Sequence, residues 1–139
     1  MEVYRKNSIA IEHGVAEGRL VLRCLHALDS EEFREGLLKA LQYARQFHIK
    51  QWLLDLREIG KLSEEEETWV QVQLFPQIMM HLGTDNYVAV VVDEGCYESM
   101  VVESGLLGLK SYNSFIILNT FSNVEDATAW LDGERANCA

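Results

Sequence analysis

The distribution of apolar and polar positions divides the chain into strands and helices. Residues 8–13 and 19–28 each alternate between apolar and polar side chains, and a turn that contains Gly14 and Gly18 joins them. Alternation of period two on both sides of a short glycine-containing turn predicts a β-hairpin. A short edge strand is predicted just before the hairpin, at residues 3–4.

Three later runs are apolar almost without interruption, and each predicts a strand. They cover residues 50–56, 87–92 and 114–119. A strand that is buried on both faces, as in a parallel sheet, does not need the alternation seen in the hairpin. We therefore expect the first two of these strands to be central in the sheet and the third to be a further strand.

Apolar positions at helical spacing predict three helices between and after these strands. They cover residues 30–47, 63–83 and 122–133. Pro76 lies inside the second pattern and predicts that this helix is kinked or split in two. The segment 96–109 suits a short helix, whose end Gly105 and Gly108 weaken.

Each predicted helix begins with a capping box, in which a polar capping residue is followed three positions later by glutamate. The pairs are Asp29 with Glu32, Ser63 with Glu66, and Ser122 with Glu125. Ser30 competes with Asp29 for the first cap. At the other end of the chain, Gly133 is predicted to end the last helix, because glycine commonly follows a helix C-terminus.

The order of these elements predicts a single α/β domain at residues 1–133. An N-terminal hairpin followed by strands that alternate with helices indicates a mixed sheet, parallel in its later part and with right-handed crossovers. Residues 134–139 are predicted to form a frayed tail. The hairpin edge, if uncovered, could pair two copies of the chain into a homodimer.

Charge and cysteine content narrow the classes of function. The net charge of −10 and the absence of a basic patch disfavour nucleic acid and anionic membranes as partners. The apolar runs are much shorter than the ~18 residues of a membrane span, so no transmembrane segment is predicted. Three widely spaced cysteines without a CxxC motif favour a reducing, cytoplasmic location.

Several local patterns resemble a branch of small, single-domain bacterial proteins of the STAS, or SpoIIAA-like, family. They are SEEFREG at residues 30–36, WLLDLR at 52–57, ETW at 67–69, and the closing pattern FSxxExAxxWL at 121–131. The resemblance implies a STAS fold and a non-catalytic interaction or regulatory module in cytosolic signalling, acting through another protein. Classical members are switched by phosphorylation where the central strand meets the second helix. Ser63 is the nearest hydroxyl to that position.

The candidate binding residues are Asp55, Arg57 and Ser63, because they lie where a central strand ends and the next helix begins. Arg57 has forked donors that suit an anionic group. The alternative is that Asp55 and Arg57 form a structural pair and that Ser63 is a plain helix cap. Glu64 to Glu67, which follow, are expected to be a solvated run at the helix start rather than a metal site.

Trp52, Trp69 and Met79 suggest a second kind of site, a pocket for a small apolar ligand. The chain would then be a carrier or sensor of a lipid-like molecule. Packing in the hydrophobic core is the other interpretation of the same residues. An exposed apolar patch is expected near Met79 and Met80, because methionine suits adaptable surfaces.

The sequence contains no spacing that is typical of catalysis, of a cofactor or of a metal site. His13, His26, His48 and His81 do not form an HxxxH or HExxH motif. His13 and His26 are predicted to be neighbours on one face of the hairpin. We therefore expect a protein that is not an enzyme and that needs no cofactor or metal.

Overall fold

The computed structural model describes residues 1–59, 62–104, 110–112 and 114–138. In these residues the strands form one sheet and the helices cover it. The strands are β1 (Glu2–Arg5), β2 (Ile9–Gly14), β3 (Arg19–Cys24), β4 (Gln51–Asp55), β5 (Asn86–Val91), β6 (Lys110–Tyr112) and β7 (Ile116–Phe121). The helices are α1 (Ser30–Phe47), α2 (Glu64–Trp69), α3 (Phe75–Leu82), α4 (Glu94–Ser104) and α5 (Val124–Cys138), with a π-helical segment, Val70–Leu74, between α2 and α3.

The described strands lie in the order β1-β2-β3-β4-β5-β7-β6. The first three are antiparallel neighbours, whereas β3, β4, β5 and β7 are parallel. This confirms an α/β fold with a mixed sheet, an N-terminal hairpin and a parallel later part. The edge next to the hairpin is β1, so the predicted homodimer would form there. The opposite edge, β6, runs antiparallel to β7 and was not predicted.

Two buried clusters lie on opposite faces of the sheet. The larger contains Phe33 of α1, Trp52 of β4 and Ile78 of α3. The smaller lies under α5 and contains Leu53 of β4 and Leu131. Successive side chains of a strand point to opposite faces, so Trp52 and Leu53 enter different clusters. Burial on both faces explains why residues 52–54 of this strand are apolar without alternation.

The proline in the second helical region is accommodated by a change of hydrogen-bond register. The backbone stays helical through Val70–Leu74, where the Phe75 N–H donates to the Val70 carbonyl five residues earlier. Pro76 then lies in the first turn of α3, where a missing N–H is tolerated. The predicted division of the helix is therefore present, but it lies before the proline rather than at it.

Both ends of the last helix differ from the prediction. Asn123, not Ser122, is the cap: its side chain accepts from the Asp126 N–H at 2.7 Å. The helix continues past Gly133 to Cys138, so the prediction that it ends at Gly133 was wrong, whereas the fraying of residues 134–139 stays a prediction. Asparagine and serine are both strong caps, and the sequence does not decide between neighbours.

The segment after β5 forms the predicted short helix, α4, which ends at Ser104. The glycines that were expected to weaken its end, Gly105 and Gly108, lie outside the described residues. The first helix agrees with its prediction at both ends. Asp29 rather than Ser30 is its cap and accepts from the Glu32 N–H at 2.9 Å.

Candidate functional site

Two neighbouring clefts lie at the carboxyl ends of β3 and β4, where the loops after the two strands meet the start of α2. The first has a volume of about 660 Å³, and the second about 480 Å³. The first is lined by His26, Ala27, Leu28, Ser30, Glu58, Ile59, Ser63, Glu65 and Glu66, and the second by Arg23, Cys24, Leu25, Asp55, Arg57 and Glu58. Glu58 belongs to both. The carboxyl ends of parallel strands are the usual place for a ligand in open α/β sheets.

Asp55 and Arg57 form a forked ion pair in the second cleft. The Arg57 backbone N–H and Nε donate to Oδ1 of Asp55 at 3.1 and 3.0 Å, and Nη2 donates to Oδ2 at 2.8 Å. The Asp55 side chain is 10% exposed, whereas that of Arg57 is 49% exposed. The structural pair that the sequence left as an alternative is therefore formed, and it leaves half of the Arg57 side chain at the surface.

The environment of Asp55 keeps its carboxyl ionised. Burial by itself would raise the pKa of this group. The hydrogen bonds from Arg57 and the positive charges of Arg57 and Arg23 together outweigh burial and hold the pKa below its ordinary value. The same hydrogen bond raises the pKa of Arg57. The pair is therefore fully charged at neutral pH.

Cys24 lines the second cleft but is not a reactive thiol. It is almost completely buried. Burial, followed by the negative charge of Asp55, raises its pKa to about 12. Because the thiolate is the nucleophile, a thiol in this environment is inert at neutral pH.

Ser63 is the N-cap of α2 and lies on the rim of the first cleft. Its backbone is extended, and its Oγ accepts a hydrogen bond from the Glu66 N–H at 3.2 Å. The residue is exposed. The N-cap interpretation of Ser63 is thus confirmed by geometry. Ser63 also lines the first cleft, which shares Glu58 with the cleft of Asp55 and Arg57.

Glu66 is the site residue that the sequence did not reveal. It was expected to belong to a solvated glutamate run, but it is only 5% exposed. Its carboxylate accepts from the Ser30 hydroxyl and from Arg34 Nε at 3.1 Å, so it ties α2 to α1. The guanidinium of Arg34 also lies over the Trp69 ring, 5.5 Å from its centroid. Glu66 therefore forms a fixed acidic wall of the first cleft.

No signal within the run of four glutamates distinguishes Glu66 from its neighbours. Its position in a capping box predicts that its side chain returns to the N-cap backbone. Instead the carboxylate reaches Ser30 and Arg34, which are 36 and 32 residues away in sequence. Only the packing of α1 beside α2 brings these groups together.

The three residues that suggested an apolar pocket belong to the larger core cluster. Trp52 is buried, at 3% exposure, and Trp69 and Met79 are half-buried against the same cluster. The Trp69 ring packs edge-on against Phe33, with centroids 6.2 Å apart. Neither of the two clefts described above is lined by any of the three. Their visible role in the described structure is core packing.

The predicted pairing of His13 with His26 was wrong. His13 lies opposite Leu20 at one end of the hairpin, and its Nδ1 is 2.8 Å from the Tyr43 hydroxyl. His26 follows β3 at the other end, has a positive φ of 52°, and lines the first cleft. The hairpin register explains the difference: Ile9 pairs with Cys24 and His13 with Leu20, so the residues after Cys24 lie at the opposite end of the hairpin from His13.

No protein-family model matches the chain, and no curated protein matches it significantly. The likeness to the STAS family therefore remains a resemblance. Within the described ranges, no group of three or more His, Cys, Asp and Glu side chains is arranged to hold a metal ion. Among the helices in those ranges, none is long and apolar enough to cross a membrane.

Proposed function

We propose that the protein is a non-catalytic, STAS-like regulatory module of the bacterial cytosol. It acts by binding a partner protein at the clefts where β3 and β4 end. The observation that carries this proposal is the Arg57 guanidinium, which is held in place by Asp55 while half of the side chain stays accessible.

A fixed guanidinium is a favourable binding group. Ordering a long, flexible side chain on association normally costs about 0.5–1.5 kcal/mol. Here the bonds to Asp55 have already ordered Arg57 in the free protein. Planar, forked donors suit a carboxylate or phosphate on the partner. We therefore expect the partner to present an acidic group to the outer edge of Arg57.

The location agrees with the resemblance. Classical members of the STAS family are switched where the central strand meets the second helix, and here β4 ends at Asp55 while α2 begins after Ser63. The clefts lie between loops and a helix start and are partly open to solvent. A surface loop or a helix end of another protein would fit such a place.

The test compares partner capture by three forms of the protein in its own cells. The double variant Asp55→Asn/Arg57→Gln removes both charges together, so no uncompensated charge is left in the site. Arg45→Gln is the matched control, because it removes an exposed arginine from the far end of α1. We expect a crosslinked partner to be captured by wild type and by the control, and to be lost from the double variant.

Circular dichroism of the purified variants must first show that all three are equally folded. The affinity of the purified partner for each is then measured by titration. Equal affinity of the partner for all three forms would refute a role for the Arg57 clefts. Turnover of a substrate that depends on Asp55 or Arg57 would refute the non-catalytic assignment.

A further inference from the structure

We propose that a second surface, formed by the π-helical segment Val70–Leu74, α3 and α4, binds a basic amphipathic segment of a protein partner. We refer to it as the acidic helical surface. The inference deepens the proposed function, since it also requires a protein partner. It concerns a different part of the molecule from Arg57.

Exposed apolar side chains mark this surface. Val72 is 60% exposed, Met80 is 75% exposed and Val102 of α4 is 86% exposed. Pro76, between the first two, is also exposed. Single exposed apolar residues are ordinary, but large ones on neighbouring helices indicate an interaction surface. The exposed patch that the sequence predicted beside Pro76 is therefore present.

The helices that carry these residues lie on one face of the sheet. Their inner residues, such as Ile78 of α3 and Met100 of α4, pack against the same core cluster. The helical region of α2 and α3 connects β4 to β5, and α4 begins the connection from β5 to β7, so they cover adjacent strand pairs. Their outer sides therefore face solvent on the same side of the sheet.

The net charge of this part of the chain is strongly negative. Residues 62–109 contain nine of the 22 acidic residues and none of the 12 basic residues, so they carry −9 of the net charge of −10. Six of these carboxylates are exposed on α2 and α4. They are Glu64, Glu65, Glu67, Glu94, Glu98 and Glu103. The rest of the chain is nearly neutral.

This charge selects the partner. A second copy of the chain would bring an equally negative surface and would be repelled, as would an anionic lipid surface or a nucleic acid. A helix with lysine or arginine beside its apolar stripe would cover Val72 and Met80 and pair with the surrounding carboxylates. Methionine at the centre of the contact can adapt to the shape of such a helix.

The test uses a fluorescent Leu/Lys peptide that forms an amphipathic helix, titrated with the full-length protein and followed by anisotropy. Val72→Ser/Met80→Ser should weaken binding about tenfold, because two apolar contacts are removed. Val15→Ser is the matched control, since Val15 is 66% exposed on the hairpin turn. It should bind as wild type does.

A second arm tests the charges. Glu94→Gln/Glu98→Gln/Glu103→Gln, which removes three exposed carboxylates of α4, should weaken peptide binding and flatten its dependence on salt. Glu12→Gln/Glu17→Gln/Glu31→Gln removes three exposed carboxylates from the hairpin and α1, and should leave binding nearly unchanged. Circular dichroism verifies the fold of each variant. Equal weakening by the two triple variants, or equal binding of a Leu/Glu peptide, would overturn the inference.

The Asp55→Asn/Arg57→Gln variant separates this inference from the proposed function. It should bind the Leu/Lys peptide as wild type does, while losing the partner that Arg57 recognises. Failure of the peptide to bind wild type overturns the acidic helical surface and leaves the Arg57 test intact. An unchanged partner affinity in Asp55→Asn/Arg57→Gln overturns the role of Arg57 and leaves the acidic helical surface intact.

Discussion

The two ends of the parallel strands each carry an arginine–aspartate pair, but the two pairs are built in opposite ways. At the amino ends, Arg19 is 4% exposed and its partner Asp132 is 47% exposed. At the carboxyl ends, Arg57 is 49% exposed and its partner Asp55 is 10% exposed. The buried member is the cation at one end and the anion at the other.

Two other polar side chains at the amino ends of the strands are also held within the fold. The Gln51 side chain donates to the carbonyl of Leu131 in α5 at 2.6 Å. The Asn86 side chain donates to the carbonyls of Gly83 and Phe115 at 2.8 and 3.0 Å. These polar groups serve the fold. At the carboxyl end two clefts open beside the strand ends and the Arg57 side chain is half exposed, so it remains available for binding.

The largest effect is expected at the amino end, for Asp132→Ala. The change leaves the buried Arg19 guanidinium without this carboxylate, and arginine cannot lose its proton in a protein. We expect unfolding to become easier by about 3 kcal/mol, below the ~5 kcal/mol limit for a fully buried pair because Asp132 is half exposed. Urea denaturation measures it.

Arg19→Met is the matched variant, since it removes the buried charge and keeps much of the volume. It should destabilise less than Asp132→Ala. If it destabilises more, the Arg19 guanidinium has a stabilising role beyond its pairing with Asp132.

A smaller effect, about 2 kcal/mol, is expected for Glu66→Ala at the carboxyl end. The change leaves the Ser30 hydroxyl and Arg34 without their shared acceptor and loosens α2 from α1. Glu65→Ala is the control, because its side chain is 82% exposed and it should change stability by less than about 0.5 kcal/mol. Equal losses for the two variants, measured by urea denaturation, would contradict the difference in burial.

Arg57→Ala is expected to destabilise by about 1–2 kcal/mol at neutral pH. This variant should lose less stability than Asp132→Ala, because the buried group that remains, Asp55, is a carboxyl and can become neutral by taking up a proton. The free energy of unfolding of the two variants, compared at pH 7, tests this order. The reverse order would mean that the ion pair at the carboxyl end stabilises the fold more than the ion pair at the amino end.

The pH dependence of stability distinguishes wild type from Arg57→Ala. In the wild-type protein the pKa of Asp55 is lower in the folded state than in the unfolded state. The ionised carboxyl therefore stabilises the fold above its unfolded pKa, about 3.9, and this stabilisation is lost as the pH falls through the folded pKa. Without Arg57, burial dominates and the folded pKa is raised. Acidification from pH 7 toward about pH 4 should then stabilise Arg57→Ala relative to wild type. Urea midpoints across this range measure it, and Asp55→Asn should abolish the difference.

The smallest effect is expected for Ser63→Ala, which removes the cap of α2 and should destabilise by about 1 kcal/mol. Ser63→Asp restores a capping acceptor and should recover most of that loss. Thermal unfolding compares the three forms. A fully stable Ser63→Ala would show that the Oγ to Glu66 bond is dispensable, and that the hydroxyl is kept for another role.

The elements that local pattern specifies were predicted well. The cap at Asp29 and the stripe from Phe33 through Ala44 determine α1 without reference to the remainder of the fold, so both of its ends were correct. Strand β6 was missed because three residues carry no periodicity, and they pair only because β7 offers an edge. The π-helical segment was missed because its widened hydrogen bonds leave no pattern in the apolar positions.

For the candidate site, sequence located the residues but not their roles. Asp55, Arg57 and Ser63 were singled out, because a strand that runs into a capped helix is visible in local pattern. Tertiary packing decides which member of the ion pair is buried and which residues line a cleft. Charged residues look alike in a sequence, whether solvated or enclosed.

By itself, the sequence determined the order of the strands and helices apart from β6 and the π-helical segment, the caps at Asp29 and Ser63, and the acidic stretch from residue 62 to 109. Each of these follows from neighbours within a few positions along the chain. Tertiary structure alone decided that Glu66 is enclosed while Glu65 is solvated, and that Arg19 is buried while Arg57 is accessible. The reason is that burial is set by elements distant in sequence, α1 over Glu66 and α5 beside Arg19, which no local pattern encodes.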